Sequence, residues 1–304
     1  MNKKILFMGS SDYSLIILKD LISKYPVALI ATQPDKPAGR GKKIEPALIK
    51  VLAGDLKIPV MQPKKLNDEL SWEAINAQSI DLIIVAAYGK ILPKELLEFT
   101  NLGCLNVHAS LLPRWRGASP IQAAILNGDE QTGVTIIKMD EGIDTGPILS
   151  MRATTIDISE TSKTLSLKLA RIGSDLLLDT LPDYLEGKIQ AQSQSDAGAT
   201  YAGLLKKEYG LLDFNQPAMN LEKKIRAYNP WPICYMDWDS TVLRIHKAEV
   251  SCEKRLQKFQ RGIINNYPSI GTSTNDLILL EIQPSGKNKM DGKSFLNGVR
   301  NWKN

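Results

Sequence analysis

The chain has 304 residues, 43% of them hydrophobic and 23% charged, with a net charge of +5. That length exceeds one ordinary domain and that balance builds real cores, which excludes a disordered or fibrous chain. Three scattered cysteines, Cys104, Cys234 and Cys252, form no C-x-x-C pair; they exclude a disulfide framework and a cysteine-rich metal site and fit a reducing, cytoplasmic compartment.

The opening MNKKILFMGS begins like a signal peptide, but its apolar run stops after five residues. No run reaches the ~20 apolar residues that span a bilayer, so no membrane partner is expected. Ile5–Met8 reads as the first buried strand and Leu15–Ser23 as the first helix. The turn between them, GSSDYS, falls short of G-x-G-x-x-G, so dinucleotide binding is not supported. Val27–Ala31 is the second strand. QPDKPAGRGKK (33–43) follows it, and two prolines and two glycines forbid a helix there. Lys36, Arg40, Lys42 and Lys43 give that loop a positive charge that could wrap a phosphate backbone or merely face water.

Helices are predicted over Pro46–Leu56, Asn67–Gln78, Pro93–Phe99 and Pro120–Asn127, alternating with strands at Leu82–Ala86, Leu105–Val107 and Val134–Met139. Such alternation implies a Rossmann-like α/β domain with a parallel sheet covered on both faces. A helix over Thr161–Leu185 closes this domain at 1–187, and the polar, aperiodic stretch 188–205 reads as a linker. Beyond it, GLLDF, CYMDW, TVLRIHKAEV, RGIINN and DLILLEI are short β-rich segments at even spacing, as in a small OB-like β-barrel over 206–304. Residues 206–304 hold 16 Lys/Arg against 10 Asp/Glu, so the whole basic excess lies there.

Chemistry concentrates in NVHASLLPRWRG (106–117). In a strand of period two, Asn106 and His108 share a face at the C-terminal end, where open α/β sheets bind ligands. Asn can hold a developing oxyanion and His can donate to it or carry a proton. A strand-end His bonded to a backbone carbonyl explains the ring equally well without chemistry. MDEGIDTGPIL (139–149) then offers Asp140, Glu141 and Asp144, any of which could orient His108. Spacing does not choose among them. A Ser–His–Asp triad is disfavoured because no G-x-S-x-G elbow exists, and no His/Cys cluster suggests a metal.

Together these stretches resemble the methionyl-tRNA formyltransferases from residue 1 to about residue 300. The resemblance rests on QPDKPAGRGKK, AAYGKILP (86–93), NVHASLLPRWRGASPIQ (106–122), GVTIIKMDEGIDTGPIL (133–149) and RAYNPWP (226–232), and more weakly on HKAEV (246–250) and QPSGKNKM (283–290). It implies transfer of formyl from 10-formyltetrahydrofolate to the α-amino group of methionine on initiator tRNA, by a monomer without a metal. It implies Asn106, His108 and Asp144 as catalytic residues, Ser110, Leu111, Leu112 and Pro113 along the folate, and Arg40, Lys42 and Lys43 on the tRNA. GSSDYS in place of the family's Gly-Thr-Pro turn, Ala109 in place of Gly, and IEPALIK after the basic loop depart from the pattern. Sugar-nucleotide formyltransferases share the N-x-H and D-x-G elements, and glycinamide ribonucleotide formyltransferases resemble only the first domain. An inactive tRNA-binding scaffold would not need Asn106, His108 and Asp144 together.

Overall fold

A computed structural model describes residues 3–38, 43–299 and 302. They form two compact units, one of residues 1–120, 131–155 and 166–202, the other of residues 121–130, 156–165 and 203–304. Among the described residues no helix is long and apolar enough to cross a membrane.

The first unit runs β1 (Ile5–Gly9), α1 (Asp12–Lys24), β2 (Val27–Ala31), β3 (Lys36–Ala38), β4 (Lys43–Glu45), α2 (Leu48–Asp55), β5 (Val60–Met61), α3 (Glu69–Asn76), β6 (Leu82–Ala86), α4 (Lys94–Leu97), β7 (Cys104–His108) and β8 (Arg116–Gly117). α5 (Pro120–Asn127) leads into β9 (Gln131–Lys138), β10 (Ile148–Thr155), α6 (Ser162–Leu185) and β11 (Tyr201–Ala202). The main sheet has the order β10-β9-β7-β6-β1-β2-β5. β1 and β6 are buried along their whole length because both faces are covered. On one face Leu6, Met8, Ile83, Val85 and Cys104 pack with Leu96, Ile75 and the Trp72–Phe99 ring pair. On the other, α6 passes so close that a Cβ at Gly173 would lie 2.9 Å from Val107.

An all-parallel sheet is not what forms. β9 runs antiparallel to both β7 and β10. β9 starts beside the C-terminal end of β7, where His108 pairs with Thr135, and runs back along it to pair Lys138 with Leu105. The first turn, GSSDYS, serves helix capping: Ser11 Oγ accepts from Ser14 N and Ser14 Oγ accepts from Ser11 N.

The second unit continues with a 3₁₀ turn at Lys207–Gly210 and then α7 (Ala218–Ala227), β12 (Cys234–Trp238), β13 (Thr241–Val250), β14 (Arg261–Ile264), β15 (Tyr267–Gly271), β16 (Asp276–Pro284), β17 (Met290–Asp291) and α8 (Gly292–Asn297). Its six strands make one antiparallel sheet of order β12-β13-β16-β15-β14, with β17 also on β16. Among the described residues no ladder joins β12 to β14. GLLDF is not a strand; Leu211 makes a single bridge to Tyr235. RGIINN ends in a two-residue hairpin, with Asn265 and Asn266 at φ 53° and 64°, and β15 follows directly. Trp302 packs edge-on to Phe295 and donates its indole N–H to the Gly262 carbonyl at 2.7 Å.

Candidate active site

β7 sorts its side chains by parity. Cys104 joins the α3/α4 side of the sheet and Val107 the α6 side, so Asn106 and His108 fall on the Cys104 side at the strand's end. The β9–β10 hairpin then brings its loop back over them. Inside that loop Asp140 Oδ1 accepts from Gly142 N at 3.1 Å and from the Thr145 hydroxyl at 2.7 Å. Glu141 pairs with Lys94 at 2.7 Å in the open. That leaves Asp144, and of the three acids only its carboxylate reaches the site.

Asp144 accepts from Asn106 Nδ2 at 3.1 Å through one oxygen. Its other oxygen accepts from Gly117 N at 2.8 Å and lies 3.4 Å from His108 Nδ1. His108 Nε2 lies 3.1 Å from the Trp115 carbonyl. Both expected readings of the ring are thus present at once, a backbone carbonyl on one nitrogen and a carboxylate on the other. Each ring nitrogen thus faces one oxygen acceptor. His108 is only 5% exposed and the Asp144 side chain 13%, so this contact sits away from bulk water. Asn106 gives one amide N–H to Asp144 and has a second.

The loops that frame this triplet are conformationally unusual. Asp144 has φ 53° and Trp115 φ 61°, a region that costs an L-residue about 1–2 kcal/mol. Gly117 has φ 112°, and a Cβ there would stand 2.6 Å from the Ala202 carbonyl oxygen. Gly146 is pressed harder, with its Cβ position 1.9 Å from the Lys138 carbonyl. Both glycines are steric requirements of the site.

Ser110 is fully buried, and its hydroxyl donates to the Arg114 carbonyl at 2.6 Å. Its carbonyl accepts from Thr135 Oγ1 at 2.7 Å, and that hydroxyl oxygen accepts from Leu112 N at 3.2 Å. Leu112 is 3% exposed. Of the four residues expected along a folate, only Leu111 and Pro113 offer side-chain surface. Ser110 and Leu112 shape the turn from within.

Arg40 and Lys42 lie outside the described residues. Lys43 opens β4, which pairs antiparallel with β3. The base of this hairpin is anchored by Asp35, which accepts from Lys50 Nζ at 2.6 Å and Gln62 Nε2 at 2.7 Å. Those two bonds, Lys50 first, hold the Asp35 carboxyl below the usual carboxylate range.

Sequence reading misses Gln192, Gln194, Asp196 and Thr200, because an irregular polar strap has no period to read. Far from trailing as a tether, Gln192 bridges Ile148 and β11 pairs with β8. Thr200 accepts from Trp115 N at 2.9 Å through its hydroxyl and from Arg116 N at 2.9 Å through its carbonyl. Gln194 Nε2 donates to the carbonyls of Asp144 at 2.8 Å and Gly146 at 2.7 Å. Its Oε1 accepts from Arg116 Nε at 3.2 Å and Nη2 at 3.0 Å. Arg116 is 1% exposed and also donates to Asp196 at 2.8 Å. Burial alone would push its guanidinium down, but its hydrogen bonds to Asp196 and Tyr201 outweigh that and hold it above its ordinary value. The second arginine of R-W-R is therefore an internal pin, while Arg114 lies over the Trp115 ring at 4.5 Å.

Known proteins carry the same plan. The chain is 41% identical to the methionyl-tRNA formyltransferase of Pseudoalteromonas translucida, over 98% of this chain and 95% of that one. It is 40% identical to that of Coxiella burnetii, over 98% and 96%. Among solved structures, the sugar 3N-formyl transferase WlaRD superposes with a TM-score of 0.68 at 19% identity, over 95% of this chain and 100% of that one. HypX from Aquifex aeolicus in complex with tetrahydrofolic acid superposes at 0.69 and 15%, over 97% and 47%. At those identities the likeness is one of fold. The description "Formyl transferase" matches residues 3–181 and "Formyl transferase, C-terminal domain" residues 204–300. With both halves matched and relatives aligned along nearly the whole length, the chain belongs to the formyl transferase family.

Proposed function

We propose that this chain transfers formyl from 10-formyltetrahydrofolate to the α-amino group of methionine on initiator methionyl-tRNA, giving N-formylmethionyl-tRNA for translation initiation. The observation that carries the reading is the meeting of Asn106, His108 and Asp144 at the end of β7. The full-length likeness to methionyl-tRNA formyltransferases and the GRGKK loop support the choice of acceptor.

In this reading the spare amide N–H of Asn106 holds the formyl oxygen as it gains charge. Asp144 keeps the His108 ring oriented and stabilises its charged form. A neutral methionine amine adds to the formyl carbon, the bond from that carbon to N10 breaks, and the amine proton passes by way of His108 to N10. Leu111 and Pro113 give the folate an apolar ledge beside this polar cluster, supported from beneath by Ser110 and Leu112. Arg40, Lys42 and Lys43 meet tRNA phosphates. Residues 1–187 carry the chemistry, 206–304 add a basic surface for tRNA, and 188–205 link the two and brace the site. The enzyme works in the cytoplasm as a monomer and needs no metal, because the donor is already activated.

The test is an Asn106→Ala protein. It should bind charged tRNA as the parent does while its turnover falls ~10²–10³-fold, the usual cost of one oxyanion donor. Parental turnover in that variant would refute the oxyanion role.

A further inference from the structure

We infer that Gln194 is a positioning residue for Asp144, acting on the reaction through His108 and Asn106 without touching substrate. The kinetic part of this inference rests on the formyl-transfer reading above; the geometric part does not.

The Gln194 amide has two N–H donors and two acceptor lone pairs, and all four are matched. The donors meet the Asp144 and Gly146 carbonyls, and the oxygen meets two nitrogens of Arg116. No other side chain supplies that set at that reach. Asn is one methylene shorter. Glu keeps the bond to Arg116 but sets a carboxylate oxygen against two carbonyl oxygens. The far end is firm, because Arg116 is buried and fixed by its own backbone N–H to the Thr200 carbonyl at 2.9 Å.

The two loops that Gln194 ties together are the two that hold His108. The R-W-R turn supplies the Trp115 carbonyl at 3.1 Å from Nε2, and the D-T-G loop supplies the Asp144 carboxylate at 3.4 Å from Nδ1. Gly117 N, next to Arg116, reaches the same carboxylate at 2.8 Å. Asp144 itself sits at φ 53°, a conformation its neighbours must maintain. A single amide thus spans from the backbone of the catalytic acid to the turn that carries the other partner of the histidine. Displacement of a reacting group by about 1 Å can cost ~10²-fold in rate.

The chain has two histidines, so ring-nitrogen NMR of ¹⁵N-histidine protein gives one signal set for His108 and one for His246. Spectra are recorded for the parent, Gln194→Ala, Gln194→Glu, Asp144→Ala as the reference for a lost carboxylate, and Ser195→Ala as a control on the same strap. Tm, kcat and both KM values are measured in parallel. In Gln194→Ala the His108 signals should move towards those of Asp144→Ala while His246 stays put. Turnover should drop about 10- to 100-fold, with both KM values within about twofold of the parent and Ser195→Ala unchanged. Gln194→Glu should not restore either readout. Parental His108 signals in folded Gln194→Ala, or parental kcat in it, overturn the inference. If Gln194→Ala does not fold, the nearly isosteric Gln194→Glu decides in the same way. A parent without formyl transfer refutes the functional reading instead, and the His108 signals still decide the positioning role.

Discussion

Replacing Asp144 by Asn keeps the size of the side chain and removes what the site uses it for. One carboxylate oxygen faces Asn106 Nδ2 at 3.1 Å; the other faces Gly117 N at 2.8 Å and His108 Nδ1 at 3.4 Å. An Asn amide must turn its NH₂ towards one of these sides, so a donor meets a donor either way. Across from it, His108 loses the carboxylate of that contact, in a place 5% exposed. One orphaned donor and one lost charge partner cost about 1–3 kcal/mol each. Their sum, about 2–6 kcal/mol, corresponds to a loss of at least about 30-fold. The loss should appear in kcat with KM for charged tRNA nearly unchanged, because in this reading Asp144 acts on the reaction through His108 and Asn106 and takes no part in tRNA binding. Single-turnover transfer of radiolabelled formyl to charged tRNA reads it directly. An Asp144→Asn protein within threefold of the parent rate would refute the reasoning.

A Gly117→Ala substitution puts a methyl 2.6 Å from the Ala202 carbonyl at φ 112°; it should cost about 1–3 kcal/mol, lower Tm by several degrees in a melting scan and cut kcat at least tenfold. Arg40→Ala should raise KM for charged tRNA and flatten the slope of log affinity against log salt by about 1, with kcat unchanged; filter binding at several salt concentrations checks it. Burial pushes the Cys104 and Cys234 thiols up to about 12, whereas Cys252 is exposed. An aromatic disulfide reagent at pH 8 should therefore titrate one thiol in the native protein and three after unfolding.

The strands that sequence reading places correctly are those buried on both faces, such as β1, β6 and β7, where continuous apolar runs leave no other choice. Parity within β7 then puts Asn106 and His108 on one face from the sequence alone. Spacing could not select Asp144 over Asp140 and Glu141, because the choice depends on the hairpin fold of a loop. The antiparallel direction of β9 is equally invisible, since a buried apolar strand reads the same both ways. α7, with LEKKIRA inside it, was masked by the β-rich stretches around it. The strap at 192–202 was hidden for a different reason. Its side chains bond backbone carbonyls, a backbone N–H and a buried arginine across 48 to 85 residues of sequence, and such bonds leave no local pattern.

The most direct test of the account offers purified protein, with 10-formyltetrahydrofolate, two acceptors in separate reactions: methionine-charged initiator tRNA and an amino-sugar nucleotide. The account predicts formylmethionyl-tRNA in the first and no formylated sugar in the second, with the first product lost in Asn106→Ala and Asp144→Asn. Formylation of the sugar nucleotide with methionyl-tRNA left untouched would contradict it.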